Sequence, residues 1–170
     1  PYARRRVSLA VERRGKMVQI GFNQTGSHVL VDLAECAVMR SSLFALLGPL
    51  RGLLAHIVPD RRRANVRMTL TDQGVDMLIS GVEIKGLAAT ETVAEFAARH
   101  ELARLSVDEG YGAAARWEPA SVTITLGGVP VPFPEGAFLQ ATADGEDVLV
   151  NAVRETVGEA QTVADLFSGL

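Results

Sequence analysis

RRRVSLAVERRGKMVQIGF, residues 4–22, runs out and comes back. Val7, Leu9 and Val11 alternate with polar or small residues, so they share one face of an extended chain. Arg14-Gly15 marks a turn, and Met17 to Phe22 form the return strand. HVLVD (28–32) reads as a third short strand. A second hairpin follows from NVRMTLT (65–71), the turn DQG, and VDMLIS (75–80). ARLSVD (103–108) is another strand, leading into the glycine-rich EGYGAA, and SVTITL (121–126) alternates again. GGVPVPFPEGAF (127–138) breaks the pattern with adjacent glycines and three prolines.

Helical spacing fills the gaps. In SSLFALLGPLRGLLAHI (41–57), Leu43, Leu46, Leu47, Leu50, Leu53 and Leu54 fall on one side. Ser41 or Ser42 is the expected cap, and Pro49 predicts a kink or two helices meeting near Gly48. TETVAEFAARHEL (90–102) is a second helix, with Thr90 as cap and Val93, Phe96 and Ala97 inward. ADGEDVLVNAVRETVG (143–158) is a third, with Val148, Leu149, Ala152, Val153 and Val157 inward and Thr142 or Asp144 capping it. Thr162 to Phe167 then reads as a buried strand entering a glycine turn. Hairpins dominate up to about residue 126, which gives an α+β fold built on antiparallel sheet. The last forty residues look like the opening of an α/β domain. The expected division is a central domain over 1–128 and a second, incomplete one over 129–170.

Composition narrows the function classes. No apolar run approaches the ~20 residues of a membrane helix, and the charged N-terminal stretch has no signal-peptide core. One cysteine among 170 residues excludes an internal disulfide and suits the cytoplasm. The net charge of −3 conceals an asymmetry. Residues 1–67 carry 12 Lys and Arg against 4 Asp and Glu, a net of +8; residues 68–170 carry 5 against 16, a net of −11. Arginine pairs bidentately with phosphate, so the basic part suits a nucleic-acid backbone, unless it is neutralised by acidic neighbours on folding.

Side-chain chemistry is sparse. His28, His56 and His100 are too far apart for a zinc motif, and the last two suit helix C-termini. No nucleophile elbow is present. Phe138 and Gln140 are two apart, so an extended segment places them on one face. A ring beside a bidentate amide can hold a flat heterocycle, and a helix N-terminus just after it favours anionic or polar ligands. The bland alternative is a buried ring and an amide serving backbone. VADLFSGL (163–170) places glycine where a backbone must approach a cofactor closely.

VDLAECAVM (31–39), then GGVPVPFPEGAFLQATADGEDVLVNAV (127–153), then VADLFSGL together resemble the RNA uracil C5-methyltransferases, with the 23S rRNA branch nearest. Cytosine C5 DNA methyltransferases share a string like DLFSG but carry it near their N-terminus, without Phe-x-Gln before it, so DNA is not the expected partner. The resemblance implies S-adenosylmethionine as cofactor and RNA as substrate, ribosomal rather than transfer RNA. It implies cofactor-binding roles for Gln140, Asp165, Phe167 and Gly169, and a place for Phe138 near the target base. The family often has asparagine where Thr142 stands. Cys36 matches the fourth ligand of a 4Fe–4S cluster in one branch, although Ala37 replaces the usual proline. The other three cysteines would precede Pro1, so no cluster is expected in this chain. Family chemistry adds a thiolate to uracil C6 so that C5 can attack a methyl group. Its nucleophile and base would follow Leu170, so the chain is expected to stop short of the cofactor loop and to be inactive alone. The competing expectations are a stand-alone RNA-binding module and an inactive scaffold.

Overall fold

The N-terminal hairpin forms as its alternation requires. In the computed structural model, which describes residues 1–166, β1 (Arg6–Arg14) pairs antiparallel with β2 (Met17–Asn23). Gly15 turns between them at φ +60°, a conformation that favours glycine. β3 (Leu30–Asp32) borders β2, and β4 (Arg63–Thr71) borders the other side of β1. β5 (Gly74–Ser80), β6 (Arg104–Asp108) and β7 (Ala113–Trp117) complete a seven-stranded sheet of order β3-β2-β1-β4-β5-β6-β7. Every pairing is antiparallel except β5 with β6, which are joined by helix α3 (Gly86–Arg99) and lie parallel. A parallel neighbour demands such a crossover. The expected α+β class holds, with one βαβ unit inside it.

One sheet face is covered by α1 (Ser41–Ala45), α2 (Leu47–Ile57) and α3. Val7, Leu9, Val11, Ile20, Val66, Met68, Met77, Ile79 and Leu105 meet Leu43, Leu47, Leu50, Leu54, Val93 and Ala97 there. Burial of each such large side chain stabilises the fold by roughly 1.5–3 kcal/mol. The predicted long helix divides at Leu46, and Pro49 lies in the first turn of α2, where its missing N–H removes no intrahelical bond.

Several expectations are corrected. Neither Ser41 nor Ser42 caps α1: Arg40 precedes it and no side chain bonds its N–H groups. Thr90 does not cap α3, which begins at Gly86; its hydroxyl donates to the Gly86 carbonyl within the helix. The first turn carries no apolar signal facing the core, since Leu87 is exposed. β7 has no alternation, its core AAAR being nearly all alanine, and escaped prediction. The glycine-proline stretch forms a hairpin: β8 (Thr123–Leu126) pairs with β9 (Val129–Pro132) across Gly127 and Gly128. Both glycines have positive φ, as a tight primed turn requires.

α4 (Ala143–Val157) forms where expected, and Thr142 Oγ1 accepts from Gly145 N at 3.2 Å. Its supposed inward face is outward: Val148, Leu149 and Val153 are all exposed, and no residue of α4 is buried. Residues 162–165 form no strand and Leu166 lies in a turn. An apolar run takes strand geometry only beside a strand that pairs with it, and none borders it among the described residues. Phe167 and Gly169 lie outside them.

Candidate functional site

Strand register builds the site. Arg6, Thr69, Asp76 and Arg104 stand opposite one another across β1, β4, β5 and β6. Ser8, Arg67, Leu78 and Ser106 form the next row. Neighbouring Val7, Met68, Met77 and Leu105 point into the helix-covered core, so these two rows face the other side.

Residues 133–141 cross that face, held by arginines of β6, β4 and β1 and by Arg5 just before β1. Arg104 Nη2 donates to Phe133 O at 3.0 Å. Arg67 Nη1 donates to Gly136 O at 2.7 Å. Arg6 Nη1 donates to Leu139 O at 3.4 Å. Arg5 donates from Nε to Gln140 O at 3.2 Å and from its backbone N to Ala141 O at 2.8 Å. Its Nη2 reaches Glu146 Oε2 in the first turn of α4 at 2.6 Å.

Leu139 is buried with Val122, Ile124 and Phe133, while Phe138 is 64% exposed and Gln140 half-buried. That alternation is the one expected of an extended segment. Arg6 lies over the Phe138 ring, 4.6 Å from its centroid, a cation–π contact. Among the described residues no hydrogen bond engages the Gln140 side-chain amide. The segment thus presents a ring and an amide on a backbone that cannot drift.

The electrostatics around it are positive. Burial lowers the Arg6 pKa from its ordinary value, and the nearby Arg67 and Arg4 guanidinium groups lower it further. Arg6 Nε and Arg67 Nε are buried without a hydrogen-bond partner among the described residues. The α4 N-terminus, by contrast, has acidic Asp144 and Glu146 in its first turn. The hydrogen bond with Thr142 holds the Asp144 carboxyl below its usual range. The helix end read as an anion site is therefore answered from within.

The arginines read as phosphate ligands thus divide. Arg5, Arg6 and Arg67 hold the chain's own backbone. Arg14 and Arg63 pair with Glu12, and Arg51 pairs with Asp32. Arg13 donates to the Gly15 and Val58 carbonyls, and Arg4, Arg40, Arg61 and Arg62 remain exposed, Arg61 with Asp60 3.9 Å away. The backbone role escaped the sequence reading, although strand parity offered a signal: Arg6 and Arg67 stand at the non-core positions of strands whose alternate residues are apolar.

The other sequence candidates are dispersed. Cys36 is half-buried in a cleft of about 230 Å³ with Tyr2, Glu35, Met39 and Phe44. A 4Fe–4S cluster needs a full set of thiolates, and no trio of metal-ligating side chains converges among the described residues. The residues of this chain do not by themselves fit such a cluster. Asp165 follows α4 outside any helix or strand. His56 Nδ1 lies 2.8 Å from Gly52 O near the end of α2, and the His100 ring packs on Phe96.

No protein-family model matches the chain. An uncharacterized RNA methyltransferase of Zymomonas mobilis is 50% identical over 170 residues, covering 100% of the chain and 43% of that protein. A Tolumonas auensis protein named 23S rRNA (uracil(1939)-C(5))-methyltransferase RlmD is 32% identical, with 100% and 40% covered. Among solved structures, the Pyrococcus abyssi tRNA (uracil-54, C5)-methyltransferase in complex with S-adenosyl-L-homocysteine superposes with a TM-score of 0.62. It is 16% identical and covers 90% of the chain and 40% of its own, a likeness of fold. The chain spans about two fifths of the length of the relatives it matches. Over that span, and along its whole length, the chain is homologous to a segment of proteins named as RNA methyltransferases.

Proposed function

We propose that the chain is a segment of an S-adenosylmethionine-dependent RNA (uracil-5-)-methyltransferase of the cytoplasm, with ribosomal RNA favoured over transfer RNA. One observation carries this reading: Phe138 is exposed beside Gln140, whose amide makes no hydrogen bond among the described residues, on a segment held at four carbonyls by arginine side chains. The names of the homologous proteins support it. Phe138 stacks on the target base, and Gln140 hydrogen-bonds the methyl donor. Phe167 serves as the aromatic next to the methyl donor, and Asp165 and Gly169 shape the donor's loop. S-adenosylmethionine, when bound, supplies an electrophilic methyl group. Residues 1–128 act as the central domain, and 129–170 open the catalytic one. Cys36 serves as a fourth cluster ligand only where a longer chain brings three more thiolates.

The test is methyl transfer from labelled S-adenosylmethionine to RNA by the full-length protein. Phe138→Ala and Gln140→Ala each lower kcat/KM on the order of a hundredfold if they orient the reacting groups. The chain alone transfers no methyl group. Unchanged rates in both variants would sink the reading. A second reading, an RNA-binding module, is favoured by exposed Arg40, Arg61 and Arg62. Its signature is salt-sensitive RNA affinity of the chain alone, indifferent to the methyl donor.

A further inference from the structure

Resting on that function, we propose that Arg5 and Arg6 are positioning residues that divide the site between them. Arg5 fixes Gln140 and the methyl-donor end, and Arg6 fixes Phe138 and the base end.

The N–H and side-chain contacts of Arg5 bear on Gln140 and the residues just after it, while its carbonyl accepts from Leu70 N. Arg5 binds the carbonyls of Gln140 and Ala141, one through its side chain and the other through its backbone. The side-chain bond sets the peptide plane that leaves Gln140, and with it the direction of its side chain, and the backbone bond fixes the plane after that. Its third contact, to Glu146, ties the same plane to α4. Two partners in different directions need the fork of a guanidinium, and a lysine ammonium offers a single point charge.

Arg6 bears on Phe138. Its guanidinium lies over the ring and its Nη1 holds the next carbonyl, that of Leu139. Ring and backbone are therefore oriented by one group. A lysine retains part of this, because an ammonium is also drawn to a ring face. The two arginines are consecutive in the chain, yet Arg6 bears on the Phe138 ring and Arg5 on the backbone of Gln140, two residues on.

The experiment uses the full-length protein. S-adenosylmethionine affinity is measured by calorimetry, RNA affinity by filter binding, and kcat and KM with each substrate varied. Arg5→Gln weakens S-adenosylmethionine on the order of tenfold or more and leaves RNA affinity unchanged, and Arg5→Lys does not rescue it. Arg6→Gln weakens RNA by a similar factor, leaves S-adenosylmethionine unchanged, and is partly rescued by Arg6→Lys. Glu146→Gln, which leaves the carbonyl contacts intact, reproduces the Arg5 signature in weaker form and guards against a variant that fails to fold. Variants that weaken both ligands equally, or neither, while the wild type methylates RNA, overturn the division of labour alone. A wild type that binds neither ligand overturns the functional reading and this inference with it.

Discussion

Arg104 is the most deeply buried charge in the arginine row. It donates to both Asp76 carboxylate oxygens, at 2.8 and 3.0 Å. Burial alone would lower its pKa; the hydrogen bond and charge of Asp76 outweigh that, and Glu118 and Glu135 add to them, so the net shift is upward. Removing one partner strands the other in a poorly solvated place. Asp76→Ala is expected to cost about 3–5 kcal/mol in urea unfolding, and the paired change Asp76→Leu with Arg104→Met much less. Gly21 makes a different demand. A Cβ there would stand 1.8 Å from the Val31 carbonyl oxygen on β3. Gly21→Ala should therefore push β3 off the sheet edge and cost about 1–3 kcal/mol, as overpacking does. Unaltered amide exchange in β3 would refute this. Neither demand was legible beforehand. Gly21 sits inside a run that reads as an ordinary strand, and Asp76 with Arg104 are polar letters in two strands whose adjacency only the crossover creates.

At the scale of elements, the β8–β9 hairpin is tied to the β4–β5 turn by Gln73, which bonds Thr123, and above all by the Asp72 carboxylate. Asp72, just after β4, accepts from Thr123 Oγ1 at 2.8 Å, Thr125 Oγ1 at 3.0 Å and Thr125 N at 3.1 Å. Burial works to raise its pKa, but these bonds from Thr123 and Thr125 win and the net shift is downward. A depressed carboxylate stabilises the fold above its ordinary range, near 3.9, and that contribution disappears as pH falls through the lower, folded value. The thermal midpoint of the wild type should exceed that of Asp72→Asn at neutral pH, and the gap should close only in acid. A gap independent of pH would show that the charge is idle. α4 poses the opposite case, an element whose amphipathic pattern was read correctly and whose orientation was not. The period fixes that Leu149 and Val153 share a face; it says nothing of whether anything lies against them. In the chain alone Leu149→Lys should shift stability by less than about 0.5 kcal/mol. In the full-length protein, where the proposed catalytic domain continues, it should lower the thermal midpoint clearly.

Across the whole molecule, the sheet and its helix-covered core were readable because alternation and helical period report burial directly. Charge was read less well. Composition shows that residues 1–67 are basic, but not that three of their arginines turn inward to hold a later segment of the same chain. That assignment depends on cross-strand register, which joins Arg6, Thr69, Asp76 and Arg104 from four places in the sequence. The Phe138–Gln140 pair was legible from its spacing, and its support was not.

That support spans the chain almost end to end: Arg5 meets Gln140 across 135 positions and Glu146 across 141. Contacts so distant in sequence carry the largest closure entropy and form late. During synthesis the β1–β2 hairpin leaves the ribosome early, whereas its arginines wait for more than a hundred further residues before they find their carbonyls. The site is therefore among the last things this segment completes, and a nascent chain stopped before residue 133 would hold a formed sheet whose arginines lack those carbonyls.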